Sequence, residues 1–292
     1  MTRSGENITS ILMVGNPQAG RFREATFKGV SAYFRSMGVN VQEILDPVRL
    51  PVRKAADKDF NAAIIMGGDG TVNRFINIYG PGTMPIGIIP VGTGNVLARE
   101  LGIPLKDPLK AASLAMKGKR RAVDLGHVDG RCFLLMSGIG FDGEVAARLT
   151  AAHKRVLGLW AYVLASLVTF LRFIPTTVRV ETEQGTFSGL GALLCNTERY
   201  GGPFCFARGA WIDDGLLDVI IFKKMDLISI FRYLLMAAGY RDQKMQKNLI
   251  WVRARTIGVY SSPPAAVQID GDYFGSTPIH ATVMHRSQEF FV

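Results

Sequence analysis

The sequence predicts two domains: an amino-terminal α/β domain built on a parallel sheet, and a second, mainly antiparallel β-rich domain. The length of 292 residues fits two domains of ordinary size. Over residues 1–120, strand-like and helix-like segments alternate, a pattern typical of a parallel sheet covered by helices. Over residues 121–292, strands follow strands through glycine-containing turns, which indicates antiparallel pairing.

The first domain shows the clearest alternation. Its apolar runs end in turn residues, and the segments between them have helical spacing and end at glycine. The predicted strands are ILMVGN, VNVQEIL, NAAIIMGG and PIGIIP, and the predicted helices are FREATFKGVSAYFRSMG and VLARELGIP. In the second domain, helical stretches are predicted at 144–174 and 226–239.

Composition and charge indicate a folded protein with an anionic partner. Hydrophobic residues make up 48% of the chain and charged residues 20%, so a folded protein is expected. The 34 basic and 24 acidic residues give a net charge of +10, which favours a nucleotide, a nucleic acid or an anionic lipid surface as partner. No basic stripe interleaved with aromatic residues is visible, so no nucleic-acid partner is predicted.

The cysteines and the first residues bear on the cellular compartment. Cys132, Cys195 and Cys205 follow no C-x-x-C spacing, so neither a disulfide framework nor a structural zinc site is predicted. The first ten residues, MTRSGENITS, are polar and lack the apolar stretch of a secretory signal. A cytoplasmic protein is therefore expected.

Three glycine-rich turns each follow a predicted strand and precede a predicted helix: NPQAG at 16–20, GGDGT at 67–71 and GTGN at 92–95. Backbone N–H groups and the helix dipole favour an anion at such a junction, although for NPQAG taken alone an ordinary turn is the better interpretation. Because the carboxyl ends of parallel strands share one crevice, the coincidence of three turns predicts a nucleotide site. Asp69 beside phosphate requires an intervening cation or hydroxyl, so we also expect magnesium.

A fourth glycine-rich sequence, GIGFDG at 138–143, satisfies the G-x-G-x-x-G pattern of dinucleotide-binding proteins. That fingerprint requires an acidic residue about 20 positions further on. After Glu144 the next carboxylate is Glu181. We therefore interpret this sequence as a tight turn.

Two acidic turns in the second domain have more than one interpretation. DDGLLDV at 213–219 is either an oxygen-rich turn suited to Mg²⁺ or a hairpin turn with solvated carboxylates. QIDGDYFG at 268–275 has the pattern of a strand, an Asp-Gly turn and another strand. It also offers a carboxylate of the kind that accepts the proton when an alcohol is phosphorylated.

Taken in order, NPQAG, GGDGTVN, PVGTGNVLARELG, SGIGFDGEV, GPFCFARGAWIDDGLLDV and QIDGDYFG resemble the diacylglycerol kinase catalytic-domain family, in its bacterial soluble lipid kinase branch. The resemblance covers nearly the whole chain. GGDGT is shared with NAD kinases and sphingosine kinases, whereas GTGN and DDGLLDV narrow the choice.

The resemblance implies an ATP- and Mg²⁺-dependent lipid kinase that phosphorylates a hydroxyl of diacylglycerol or a related lipid. The domain at 1–120 would bind ATP; the domain at 121–292 would carry lipid and metal sites, with the last strand a candidate to return to the first domain. The residues implied for nucleotide binding are Asn16, Pro17, Gln18, Ala19, Gly20, Gly67, Gly68, Asp69, Gly70, Thr71, Val72, Asn73 and Thr93. Those implied for the metal are the Asp214 carboxylate and the backbone carbonyls of Trp211 and Leu216.

Two positions depart from the family pattern. The family has Asp-Gly-Glu, with Glu as proton acceptor, where this sequence has Asp270-Gly271-Asp272. We predict Asp272 as the base and Asp270 as the next candidate; because aspartate is one methylene shorter, either the loop lies closer or a water bridges. Arg74 replaces a family Glu and either contacts phosphate or a lipid headgroup or lies on a solvated helix face. The alternatives are an NAD kinase and a catalytically silent lipid or nucleotide sensor.

The uncharged segment 156–171 lies between basic residues. A helix of this length spans about 24 Å, short of the roughly 30 Å hydrocarbon core, so a membrane crossing is not expected. It is either a buried inter-domain helix or part of a lipid cleft at an anionic membrane surface. The expected partners are a lipid substrate and a transient peripheral membrane contact. The oligomeric state, a homodimer included, is left open.

Overall fold

The computed structural model describes residues 8–49, 60–149, 159–201, 204–237, 239 and 247–292. These residues divide into two compact units, the first within 1–124 and 286–292 and the second within 125–285. The long last strand, β18 (Ile279–Phe291), contributes residues to both units.

The first unit is built on a parallel sheet, as predicted. Its strands are β1 (Ser10–Gly15), β2 (Asn40–Leu45), β3 (Ala62–Gly67) and β4 (Ile86–Pro90), in the order β2-β1-β3-β4. All three neighbouring pairs are parallel. Strands β3 and β4 are buried at every position, which is expected when helices cover both faces of a sheet. The end of β18 pairs in parallel with β4, where Phe290 lies opposite Ile86.

Helices connect these strands. They are α1 (Glu24–Ser36), α2 (Asp69–Tyr79), α3 (Val96–Glu100) and α4 (Pro108–Lys117), with a single 3-10 turn at Pro47–Arg49. Helix α1 buries Phe27, Val30 and Phe34, whose spacing places them on one face. Helix α4 begins at Asp107, which accepts the Lys110 N–H at 2.9 Å.

The second unit contains the antiparallel strands that the sequence predicted. From β5, which begins in the first unit, they are β5 (Arg120–Val128), β6 (Arg131–Phe133), β7 (Met136–Ile139), β8 (Val178–Thr182), β9 (Gly185–Gly189), β10 (Ala192–Cys195), β11 (Arg199–Gly201), β12 (Phe204–Cys205), β13 (Leu217–Phe222), β14 (Leu249–Ala254), β15 (Thr256–Ser261), β16 (Ala266–Ile269) and β17 (Asp272–Ser276). Among the described residues, one sheet has the order β14-β13-β10-β7-β16-β17 and is antiparallel throughout.

A second antiparallel set, β18-β15-β8-β9, completes the core of this unit. Alternate residues of both sets form one buried cluster, for example Val178 and Val180 of β8 with Leu217 and Val219 of β13. A spacing of two residues is what a strand needs to present one face to the core.

Helices α5 (Phe141–Arg148), α6 (Leu159–Arg172) and α7 (Leu227–Ala237) also belong to the second unit. Within its described residues, the stretch predicted as helical at 144–174 contains parts of two helices, α5 and α6, and α5 ends at Leu149, whose backbone is extended. Residues 156–158 of the uncharged segment lie outside the described residues. Among the helices of the described ranges, none is long and apolar enough to cross a membrane.

Candidate active site

The three glycine-rich turns lie at the carboxyl ends of β1, β3 and β4, which are neighbours in the sheet. Strand β2 lies on one side of β1, whereas β3 and β4 lie on the other, so the strand order reverses at β1. Ligands of open α/β sheets bind in the crevice outside such a switch point. The prediction that the three turns lie together at the carboxyl ends of the parallel strands is confirmed.

Asn16 ties the first turn to the second. Its Nδ2 donates to Thr71 Oγ1 at 2.9 Å, and its Oδ1 accepts the Gln18 N–H at 2.9 Å. Its backbone N–H donates to the Met66 carbonyl of β3 at 3.0 Å. The side chain is thus held between the two turns, while Pro17 and Gln18 stay exposed beside it.

Glycines allow the second and third turns to approach closely. A Cβ added to Gly68 would lie 3.1 Å from Gly92 Cα, and a Cβ added to Gly92 would lie 2.6 Å from Gly68 Cα. A Cβ on Gly67 would lie 2.5 Å from Thr71 Oγ1. Real Cβ atoms do not come as close as the Gly92 and Gly67 values. A side chain at Gly92 would therefore force the second and third turns apart, and one at Gly67 would displace Thr71.

Asp69 joins the second turn to the third. Its Oδ2 accepts the Val96 N–H and its Oδ1 accepts the Leu97 N–H, both at 2.9 Å. These N–H groups open α3 and have no partner within that helix, so Asp69 acts as a cap supplied from a distant part of the chain. Burial raises the pKa of Asp69, and the N–H donors oppose the rise. The magnesium expected beside Asp69 stays a prediction; the hydrogen bonds of its carboxylate to the described part of the chain go to α3.

The residues predicted to bind nucleotide fall into two groups. At least partly exposed are Asn16, Pro17, Gln18, Ala19, Gly20, Gly68, Asp69, Gly70 and Thr93. Buried are Gly67, Thr71, Val72 and Asn73. A Cβ on Gly70 would meet nothing within 4 Å, so the space over the start of α2 is open. The first group can contact a nucleotide, and the second supports the turn and the helix behind it.

Two residues that tie the third turn in place were missed. Asn95, at φ +47°, donates Nδ2 to the Gly92 carbonyl at 2.8 Å and accepts the Gly92 N–H at 3.0 Å. Arg21 donates Nη2 to the same carbonyl at 3.3 Å. The asparagine of GTGN was a usable signal, because asparagine adopts the left-handed conformation more readily than most residues. Arg21 carried no comparable signal, because its partner is far away in sequence.

Arg74, which stands where the family has Glu, has a defined contact. Its Nε donates to the Pro47 carbonyl at 3.1 Å. The bond holds the 3-10 turn after β2 against α2. Arg74 therefore does more than occupy a solvated helix face.

The Asp-Gly-Asp turn at 270–272 joins β16 to β17. Asp270 accepts three backbone N–H groups: that of Leu134 at 2.7 Å, that of Leu135 at 2.9 Å and that of Met136 at 3.0 Å. A carboxylate with three N–H donors is strongly held. These contacts give Asp270 an anchoring role, although the sequence made it the second candidate for the base.

Asp272 has a different environment. Its side chain is 60% exposed, and its Oδ2 lies 3.8 Å from Arg131 Nη2 of β6. Of the two aspartates in the turn, Asp272 is the one that is exposed to solvent, and its role as the base stays a prediction.

The residues predicted to hold a metal lie before β13. Asp214 Oδ1 accepts the Leu216 N–H at 3.0 Å, and Oδ2 forms a short ion pair with Arg253 Nη2. The described ranges contain no group of three or more His, Cys, Asp or Glu side chains arranged to hold a metal. One carboxylate with backbone carbonyls from Trp211 and Leu216 is a donor set that fits Mg²⁺. The Arg253 guanidinium competes with such a cation for Asp214.

A parallel sheet with three glycine-rich turns at its switch point, followed by an antiparallel β unit, defines a two-domain kinase fold. Residues 10–128 match the family model described as Diacylglycerol kinase catalytic domain. Residues 136–289 match the one described as YegS C-terminal NAD kinase beta sandwich-like domain. The chain belongs to the diacylglycerol kinase catalytic-domain family, which confirms the resemblance found in its motifs.

Individual relatives agree with this assignment. The chain is 33% identical over 238 residues to the diacylglycerol kinase of Bacillus subtilis (strain 168), covering 80% of this chain and 78% of that protein. It is 30% identical over 263 residues to the diacylglycerol kinase of Mycobacterium tuberculosis (strain ATCC 25618 / H37Rv), covering 84% and 82%. A crystal structure of a diacylglycerol kinase from Bacillus anthracis str. Sterne superposes with a TM-score of 0.74 at 20% identity, covering 98% of each chain, which shows the shared fold.

Asp69→Asn is expected to loosen the junction between the second and third turns. Asparagine replaces one carboxylate oxygen with an NH₂ group, so one of the N–H groups at the start of α3 faces a donor. We expect the free energy of unfolding to fall by about 1–3 kcal/mol. Denaturant titration measures this loss, and hydrogen exchange of the Val96 and Leu97 amides should accelerate.

Asp107→Asn is the matched control for this change. Asp107 caps α4, and asparagine caps a helix about as well as aspartate, so stability should be preserved. Unchanged stability and unchanged exchange at Val96 and Leu97 in Asp69→Asn would contradict the capping role.

Proposed function

We propose that the protein is an ATP-dependent lipid kinase that transfers the γ-phosphoryl group to a lipid hydroxyl, with diacylglycerol as the first candidate acceptor. The observation that carries this proposal is the gathering of three phosphate-type turns at the switch point of the parallel sheet. The three turns at the carboxyl ends of the strands are evidence for a nucleotide as the phosphoryl donor. The relatives named diacylglycerol kinase support a lipid as the acceptor.

The start of α2 is the proposed position of the ATP phosphates. Backbone N–H groups at a helix N-terminus attract anions, and the space over Gly70 is open. Arg21 and Arg99 bond to carbonyls of the third turn at 3.3 Å each and add positive charge beside it. Positive charge and N–H donors are what phosphoryl transfer needs, because its transition state spreads negative charge over the phosphoryl oxygens.

Asp272 is the proposed base. A hydroxyl attacks phosphorus more readily when a carboxylate accepts or orients its proton. Asp272 offers an exposed carboxylate on a turn that Asp270 anchors to the neighbouring backbone. Asp270 is assigned no proton-accepting role, because its three N–H partners occupy its carboxylate.

Asp272→Asn is expected to lower kcat roughly 10²- to 10⁴-fold, because an amide cannot accept the proton. The KM for ATP should change little, because the proposed nucleotide residues belong to the first unit. Transfer of label from γ-labelled ATP measures both values. The acceptor panel is diacylglycerol, phosphatidylglycerol, a sphingoid base and a prenol, with NAD as a non-lipid acceptor.

The matched control is Asp226→Asn. Asp226 accepts the Ser229 N–H at 2.9 Å at the start of α7, a role that asparagine also performs, so kcat should be preserved. Wild-type kcat in Asp272→Asn would contradict the assignment of the base. Labelling of NAD in place of lipid would indicate an NAD kinase-like enzyme, and labelling of no acceptor would indicate a sensor.

Mg²⁺ is the cation proposed for the turn at Asp214. When bound, it would order the turn through the carboxylate and the backbone carbonyls of Trp211 and Leu216. Arg253 forms an ion pair with the same carboxylate. Cation binding and the Asp214–Arg253 ion pair are therefore expected to compete.

Arg253→Met is expected to lower the Mg²⁺ concentration that gives half of the maximal thermal stabilisation, because the competing guanidinium is removed. Asp214→Asn should abolish the stabilisation, because the charged ligand is lost. Thermal unfolding at increasing MgCl₂ measures both effects. Full stabilisation of Asp214→Asn by Mg²⁺ would contradict this metal site.

Helix α6 is the proposed contact with an anionic membrane surface. Val168 and Leu171 are 48% and 76% exposed, and Ile174, just past the helix, is 85% exposed. Arg172 lies among them and is exposed as well. Exposed apolar side chains next to a cation suit the boundary between headgroups and acyl chains. Thr169 of the same helix is buried, so the proposal concerns the exposed face that carries Val168 and Leu171.

Replacing Leu171 and Ile174 together with Asp is expected to weaken binding to phosphatidylglycerol vesicles about tenfold or more, because two apolar side chains no longer leave water. Vesicle sedimentation measures the change. Met37 and Leu109, which are 54% and 52% exposed in the first unit, provide the matched control when both are replaced by Asp. Equal vesicle binding by the two double variants would contradict the assignment of α6.

A further inference from the structure

The sequence GIGFDG at 138–143, which the proposed nucleotide site does not use, makes room for one carboxylate. It leads from β7 into α5, with Gly140 at φ +88°. A Cβ on Gly138 would overlap Asp142 Oδ2 and would lie 2.8 Å from Gln268 Nε2. Glycine at this position therefore lets Asp142 pack directly against the sheet. The turn predicted from the sequence therefore also leaves the space that the Asp142 carboxylate occupies.

Asp142 accepts two hydrogen bonds from side chains of the second unit. The Tyr200 hydroxyl donates to Oδ1, and Gln268 Nε2 donates to Oδ2 at 2.6 Å. Burial raises the pKa of Asp142, and these two hydrogen bonds oppose the rise. A carboxylate withdrawn from water is costly unless donors surround it, so its neighbours must present N–H or O–H groups.

Gln268 connects Asp142 to the Asp-Gly-Asp turn through hydrogen bonds at both ends of its side-chain amide. Its side chain is buried, and its Oε1 accepts the Gly271 N–H at 2.6 Å. An amide can face either way, but only one orientation sets NH₂ toward the carboxylate and oxygen toward the Gly271 N–H. The reversed amide would oppose oxygen to oxygen on one side and donor to donor on the other. Asp142 therefore determines which atom of Gln268 faces the turn.

We propose that Asp142 is a positioning residue for phosphoryl transfer, which acts through the Gln268 amide to hold Gly271 and thereby the Asp272 carboxylate beside it. The proposal rests on the proposed function, because it takes Asp272 as the base. Asp270 anchors the turn from one side through the backbone N–H groups that follow β6. The Asp142–Gln268 pair holds its central peptide.

An exchange of hydrogen-bond polarity tests the proposal. In Gln268→Glu, the Gly271 N–H keeps an acceptor, but two carboxylates face each other. When Asp142→Asn is combined with Gln268→Glu, the new amide at position 142 supplies an NH₂ donor to the new carboxylate and an oxygen to the Tyr200 hydroxyl, so the chain of hydrogen bonds is complete again. Asp142→Asn alone completes the double-mutant cycle.

We expect Gln268→Glu to lower kcat about ten- to a hundredfold at alkaline pH, where both carboxyl groups are ionised; at lower pH a proton shared between them would restore the hydrogen bond. The double variant should regain most of the wild-type kcat, and the KM for ATP should stay constant throughout. A second substitution that restores kcat cannot be explained by general damage to the fold. Equal kcat in Gln268→Glu and the double variant would overturn the proposal.

A readout without turnover separates this proposal from the proposed function. Gln268→Met removes the acceptor of the Gly271 N–H, so exchange of the Gly271 amide should accelerate; unchanged exchange would overturn the proposal. Asp272→Asn is assayed in parallel. If it abolishes turnover while all Gln268 variants keep wild-type kcat, the positioning role is wrong and the base assignment stands. If Asp272→Asn keeps wild-type kcat, the base assignment fails and the positioning role fails with it, while the amide exchange still reports whether Gln268 holds Gly271.

Discussion

Carboxylates that accept backbone N–H groups hold both candidate sites in shape. Asp69 takes the first N–H groups of α3, and Asp270 takes three consecutive N–H groups after β6. A hydrogen bond to a charged group contributes about 1.5–3 kcal/mol, and leaving the charge unpaired would cost more. Each carboxylate and its N–H partners therefore determine one another's position.

The glycines of the turns act together with these carboxylates. Gly68 and Gly92 bring two backbones to a distance that no side chain would allow, and Asp69 then bonds across the short gap. In the second unit, the missing Cβ of Gly138 likewise leaves room for the Asp142 carboxylate. In both places the missing Cβ makes space, and a carboxylate accepts the hydrogen bonds of the neighbouring donors. Rigid turns of this kind suit phosphoryl transfer, which depends on positioning more than on covalent chemistry.

Strands, turns and their order could be predicted because their signals are local. The apolar runs before NPQAG, GGDGT and GTGN, and the rule that parallel strands share one open edge, were enough to place three turns in one crevice. The partners of Asp69 and Asp270 could not be predicted in this way. They lie 27 and more than 130 residues away, and nothing in the spacing of DGD indicates which of its aspartates has N–H donors around it. GIGFDG was likewise taken for a tight turn, because the sequence does not show that Asp142 lies directly over Gly138 and meets Gln268 of another strand.

The anchoring of the turn at 270–272 bears on the shorter side chain of Asp272. Aspartate in place of the family glutamate requires either a loop that lies closer to the substrate or a bridging water. Asp270 holds one end of the turn with three N–H groups, and Gln268 holds the Gly271 N–H at 2.6 Å. Moving the loop would break several of these partly buried bonds, whereas a bridging water has a small entropic cost and leaves them intact. For the proposed base Asp272, the contacts of the turn therefore favour a bridging water over a displaced loop.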